Sequence, residues 1–194
     1  MSSAGRAPVV AYLDESESRQ DRDPGTYILC AAICVDSELS KARDRLTGLR
    51  PTGATKLHWR DLRDKDRYAM VAEVARIQLR HLVVVRLGGT EAPSERRRRL
   101  CLMRMFYELT SGGVTHLVAE SRGPADDRRD RQLLDTIRAQ RQAGGLLRLD
   151  HVRGPAEPML WVPDIVAGAI TSDRTAGTAL AGAFSSLELI EIAD

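Results

Sequence analysis

Three carboxylates in this chain stand where a metal-dependent reaction could use them. Asp14 follows the apolar run 9–13 and Glu120 follows the run 114–119, so each is the first acid after a buried-type strand. Asp164 lies in the first turn of a helix that the sequence opens at Pro163. Ala167 and Gly168 on the same helix face are small enough for close approach. If the two strands are neighbours, Asp14 and Glu120 meet at one edge of a sheet, and the small-residue face of the helix can bring Asp164 to that edge. Three gathered carboxylates repel one another unless a cation offsets them, and ligation by oxygen alone suits Mg2+ or Mn2+. Each acid also has an ordinary explanation: a turn former for Asp14, a solvated loop acid for Glu120, and a first-turn acid favoured by the helix dipole for Asp164.

The elements that must position these acids are read from periodicity. The runs 9–13 and 26–35 are rich in β-formers and joined by a polar loop closed by Asp23-Pro24-Gly25, which predicts an antiparallel hairpin. From Ser37 the period changes, with Leu39, Ala42, Leu46 and Leu49 on one helical face. The segment 56–59 reads as a brief strand or extended piece. A second helix opens at Asp64 and runs to about Arg80, with Tyr68, Val71, Ala72, Ala75 and Leu79 as its stripe. Strands over 81–87, 114–119 and 146–152 then alternate with helices over 94–109, 126–142 and 163–170, and 184–192 alternates as a last strand. An antiparallel start followed by helix and strand units predicts an α/β fold: a mixed sheet with helices on both faces, the layout of the ribonuclease H-like fold. A Rossmann-like fold is the rival, but no Gly-x-Gly-x-x-Gly follows a strand.

Length and composition bound the rest. At 194 residues the chain is expected to form one domain spanning 1–194, with its core at about 9–170. A hydrophobic content of 43% and a net charge of only +2 argue against a disordered or supercharged chain. Cys30 and Cys34 lie in an apolar run, and the odd number of cysteines without Cys-x-x-Cys spacing predicts reduced core thiols. No run approaches the roughly 18 apolar residues of a membrane span, so a cytoplasmic protein without membrane anchoring is expected. Oligomeric state is not readable.

The stretch Tyr12-Leu13-Asp14-Glu15-Ser16 resembles the Asp-Glu-Ser opening of a large bacterial family known as domain of unknown function 3800, and 160–170 resembles its closing helix motif. Lys56-Leu57-His58-Trp59 and Val118-Ala119-Glu120-Ser121-Arg122 are similar to family positions between them, so the likeness covers 9 to about 170. The chain departs at Glu17, where Gly is usual, and at Pro163, where a small residue is common. The resemblance implies a ribonuclease H-like fold and metal-dependent nuclease activity on DNA or RNA. The chemistry would be in-line attack of water on a phosphodiester. Asp14 would be the bridging ligand, Glu120 and Asp164 would complete the shell, and Glu15 would be a weaker ligand. His58 would protonate the leaving group or touch a phosphate, unless it is a structural histidine beside Trp59.

Nucleic acid is the expected partner. Arg96, Arg97, Arg98 and Arg99 form the most basic run, with Lys56 and Arg122 as further candidates for phosphate contact. The duller reading of that run is a solvated helix face. The competing function is a catalytically inactive domain that keeps the fold and binds nucleic acid or protein.

Overall fold

The computed structural model describes residues 8–17, 22–140 and 145–193. Its first two strands, β1 (Val9–Glu17) and β2 (Tyr27–Val35), form the expected antiparallel hairpin with Asp14 opposite Cys30. β3 (Arg80–Arg86) pairs antiparallel with β2. β4 (His116–Glu120) returns to pair in parallel with β1, and β5 (Arg148–Val152) adds in parallel to β4. β6 (Leu187–Ile192) closes the other side in parallel with β3. The order across the sheet is β5-β4-β1-β2-β3-β6. β6 is the last strand expected over 184–192, and it lies beyond the approximate core bound of 170.

Among the described residues five α-helices cover the sheet: α1 (Leu39–Leu49), α2 (Asp64–Ala75), α3 (Ser94–Ser111), α4 (Pro124–Ala139) and α5 (Trp161–Ala176). Strand alternation sorts them into two layers. Val10, Tyr12, Ile28, Cys30, Val83 and Val118 face α1, α2 and α5. Ala11, Leu13, Leu29, Ala31, Val84 and Leu117 face α3 and α4. With both faces covered, central strands must be apolar throughout, and β2 is buried from Tyr27 to Cys34. The first ten residues of α5 are buried all round, because this helix lies directly against β1 and β2.

Several expected boundaries shift. α2 stops at Ala75 rather than near residue 80, and Gln78 takes a positive φ of 57° in the turn that lets Arg80 join the ladder opposite Ile33. Its buried positions are Val71 and Val74, while Tyr68 and Ala72 of the expected stripe are exposed. Segment 56–59 forms no strand and leads into a short 3-10 turn, Trp59–Asp61. The end of the fourth expected helix, at 141–142, lies outside the described residues. All three cysteines are buried free thiols, as their apolar context predicted.

His81 sits inside this core against Phe184, with its Nδ1 unpartnered, and burial pushes its pKa down to about 4. A histidine held neutral in the fold binds fewer protons than it does unfolded, so its contribution to stability is lost as pH falls from about 6.5 towards 4. Between pH 7 and 5 the wild type should lose about 2 kcal/mol more than His81→Leu, a difference read from urea melts at the two pH values. Equal losses would show that His81 is not the acid-sensitive group.

Candidate carboxylate site

Asp14 is carried by β1 on the face covered by α5. The parallel register sets Leu13 beside Ala119, so Asp14 and Glu120 are the next residues along adjacent strands. Asp164 lies in the first turn of α5, only 8% exposed. The carboxyl of Asp14 is raised well above the usual carboxylate range by burial first, then by the charges of Glu120 and Asp164; a hydrogen bond from the Glu15 N–H at 2.8 Å opposes this. The buried thiol of Cys30 beneath them is also pushed up, by burial and then by Asp14 and Asp164. The three acids are therefore electrostatic neighbours.

Segment 56–59 supplies the groups that meet them. Buried Leu57 anchors the segment in the core, leaving Lys56 and His58 on either side of it free to reach the acids. Lys56 Nζ lies 2.8 Å from Glu120 Oε1. His58 Nδ1 lies 3.0 Å from Asp164 Oδ2, and the Trp59 backbone N–H donates to the same oxygen at 2.6 Å. The hydrogen bond to Asp164 raises the His58 pKa, with burial acting against it.

Two glycines make room for this arrangement. A Cβ on Gly154 would lie 2.5 Å from Glu120 Oε1, and one on Gly168 would lie 2.2 Å from Cγ of Trp59. Gly168 follows Asp164 by four residues on the same helix face, and the Arg67 guanidinium lies over the Trp59 ring at 4.6 Å. The indole thus packs against both the helix and the cation. Beside Asp164 opens a groove of about 660 Å³ lined also by Glu15, Glu17, His58, Trp59 and Arg67.

Other candidates lie elsewhere. Glu15 follows Asp14 on a strand and so turns to the opposite face, where it pairs with Arg98 at 2.5 Å and approaches Arg122 at 3.7 Å. It also lines, with Glu17, the groove that Asp164 and His58 share. The basic run is split by the helical period of α3. Arg97 and Arg98 are buried and paired with Glu17, Glu15 and Asp130, while Arg96 and Arg99 are exposed. Arg122 pairs with Glu95 at 3.4 Å. Lys56, expected to meet phosphate, instead meets Glu120. Gly168 reads from sequence as a small residue permitting close approach of the helix, whereas Gly154 and the Trp59 N–H are not singled out and leave no signal there.

The donor set suits an oxygen-seeking cation in kind, since burial and mutual repulsion leave Asp14 in want of positive charge. As placed, however, no group of three or more His, Cys, Asp or Glu among the described residues closes around a point as a metal cage would. Lys56, His58 and the Trp59 N–H already hold two of the three acids.

No family model matches the chain, and no curated protein matches it by sequence, so the resemblance to domain of unknown function 3800 gains no support from those comparisons. Solved structures do match. Ribonuclease HII of Archaeoglobus fulgidus, determined in complex with PCNA, superposes with a TM-score of 0.55 at 15% identity, over 86% of this chain and 74% of its own. The fold is ribonuclease H-like. Ribonuclease H2 of Pyrococcus horikoshii OT3 gives 0.54 at 14% identity, over 87% and 74% of the two chains. The Q54A mutant of Bst-RNase HIII gives 0.54 at 11% identity, and only 53% of that longer chain is covered. Identity this low carries the ribonuclease H-like architecture and nothing about substrate. No helix among the described residues is long and apolar enough to cross a membrane.

Proposed function

We propose that this chain is a metal-dependent nuclease of one ribonuclease H-like domain, acting in the cytoplasm and hydrolysing phosphodiester bonds of DNA or RNA at Asp14, Glu120 and Asp164. The observation that carries the reading is the parallel pairing of β1 with β4 beneath the start of α5, which makes neighbours of three acids far apart in sequence. Mg2+ or Mn2+ held by these carboxylates would supply an activated water and positive charge for the phosphate oxygens. Asp14, raised by burial and by the charges of Glu120 and Asp164, would gain from bridging. His58 is oriented through Nδ1 by Asp164, which leaves Nε2 as the ring nitrogen able to hand a proton to a leaving oxygen. Exposed Arg96 and Arg99 would meet backbone phosphate.

The test is cleavage of labelled single-stranded and duplex DNA and RNA with Mg2+, with Mn2+ or with chelator. Cutting that needs metal supports the reading, and intact substrate under every metal overturns it. A second reading, a binding domain without turnover, is favoured by the contacts that already satisfy Glu120 and Asp164. Retention of labelled nucleic acid without cleavage would select it.

A further inference from the structure

We infer that the groove beside Asp164 takes an unpaired stretch of nucleic acid, with one base stacked on Tyr68 and a backbone phosphate met by Arg60. The inference rests on the reading of this chain as one that acts on nucleic acid, and it names the form of strand taken.

Tyr68 departs from the pattern of its own helix. It precedes Val71 by three positions in α2 and so shares that helix face, yet Val71 is buried and Tyr68 is 59% exposed. Towards its N-terminal end the face has left the core, and there Tyr68 lines the groove. A single exposed aromatic is ordinary by itself. This one shares a groove with Asp164 and His58, and its ring is uncommitted. The Trp59 indole already packs against Gly168 and the Arg67 guanidinium, whereas no ring or cation contact engages Tyr68 among the described residues.

The charges along the groove leave a cation to spare. Among the described residues four acids line it, and each is already held: Glu15 by Arg98, Glu17 by Arg97, Asp64 by Arg67, and Asp164 by His58 and the Trp59 N–H. Arg60 also lines the groove, is exposed, and forms no ion pair among the described residues. A guanidinium without a carboxylate partner suits the paired oxygens of a phosphate.

Shape and size favour one strand over two. Asp164, Gly168, Thr171 and Thr175 lie along one face of α5 and all line the groove, so its floor leads away from the acid for about 16 Å. An extended chain follows such a floor. The volume of about 660 Å³ falls in the range of small-ligand pockets, roughly 300–1,000 Å³, which is room for a short piece of a single strand. In a duplex the bases are stacked and paired, and no base face is left for Tyr68 to meet. Stacking on an aromatic ring beside a cation is the usual means of holding single strands.

The test is binding rather than cleavage. The full chain is titrated against short labelled oligothymidylate and oligouridylate, and against a DNA duplex of the same length, in chelator and in Ca2+. The wild type should bind single strands of either sugar more tightly than the duplex. Tyr68→Ala should weaken single-strand binding by about 5- to 150-fold, the worth of one stacked base, while Tyr68→Phe, which keeps the ring, should bind like wild type. Arg60→Ala should lower the slope of log affinity against log salt by about 0.7, the loss of one phosphate contact. Both side chains are exposed, so thermal melts of the variants should match wild type. A duplex bound as tightly as a single strand, or unchanged affinity in Tyr68→Ala, would overturn the inference and leave the nuclease reading standing. Binding of no strand in any form would overturn the nucleic-acid reading along with it.

Discussion

Gly168→Ala is expected to unfold the candidate site and to cost the protein about 2 kcal/mol or more, although alanine is the better helix former. In an exposed helix the change gains up to about 1 kcal/mol. Here the new methyl would lie 2.2, 2.3 and 2.6 Å from three atoms of the Trp59 ring, so the ring, which also packs with the Arg67 guanidinium at 4.6 Å, would have to shift to admit it. Overpacking of this kind costs about 1–3 kcal/mol. The indole must swing out, taking with it the Trp59 N–H and the His58 ring that hold Asp164. We expect a melting temperature several degrees lower, a changed tryptophan emission, and loss of any metal-dependent cleavage. Gly48→Ala is the control: Gly48 lies in α1 with nothing near its missing Cβ, so that variant should melt slightly higher. Equal melting of wild type and Gly168→Ala would show that the close approach of Gly168 to the Trp59 ring has no energetic role.

Asp14→Asn is expected to separate stability from activity. Burial and the charges of Glu120 and Asp164 raise the Asp14 carboxyl, so the folded chain pays for that charge at neutral pH. For a carboxyl raised on folding, the sign is the reverse of the usual one. Stability is highest at low pH and is lost as pH rises from the unfolded value towards the folded one. Asparagine removes this cost while keeping the hydrogen bond accepted from the Glu15 N–H. The metal-free variant should melt higher than wild type at pH 7, by ~2–4 °C for each kcal/mol of repulsion relieved, and the difference should shrink as pH is lowered. The variant should also lose stabilisation by millimolar Mn2+ and at least ~100-fold in cleavage rate. A variant that cleaves at the wild-type rate would remove Asp14 from the site. A variant that melts lower than wild type would show that Asp14 serves the fold instead.

Sequence periodicity alone determined the hairpin, the alternation of helices with strands and the ribonuclease H-like layout, because burial of a strand or helix face leaves its period in the residues. It also pointed to Asp14, Glu120 and Asp164, since a polar residue ending an apolar run marks a sheet edge. The face on which Glu15 falls was legible too, because neighbours on a strand point opposite ways, and its pairing with Arg98 follows from that alternation. The inward turn of Arg97 and Arg98 was hidden in a run of four arginines, where only the burial of Cys101, Leu102 and Met105 shows which side of α3 meets the sheet.

Only the tertiary structure decided what surrounds the acids. Lys56 meets Glu120 across 64 positions in the chain, and the Trp59 N–H meets Asp164 across 105. Contacts of that range leave no trace in local pattern, because they depend on where α5 crosses the sheet and where the 56–59 segment is pinned. The two glycines behave in the same way. Gly168 was legible only as a small residue allowing close helix approach and Gly154 not at all; what each makes room for appears only when the Trp59 ring and the Glu120 carboxylate occupy the space a Cβ would need.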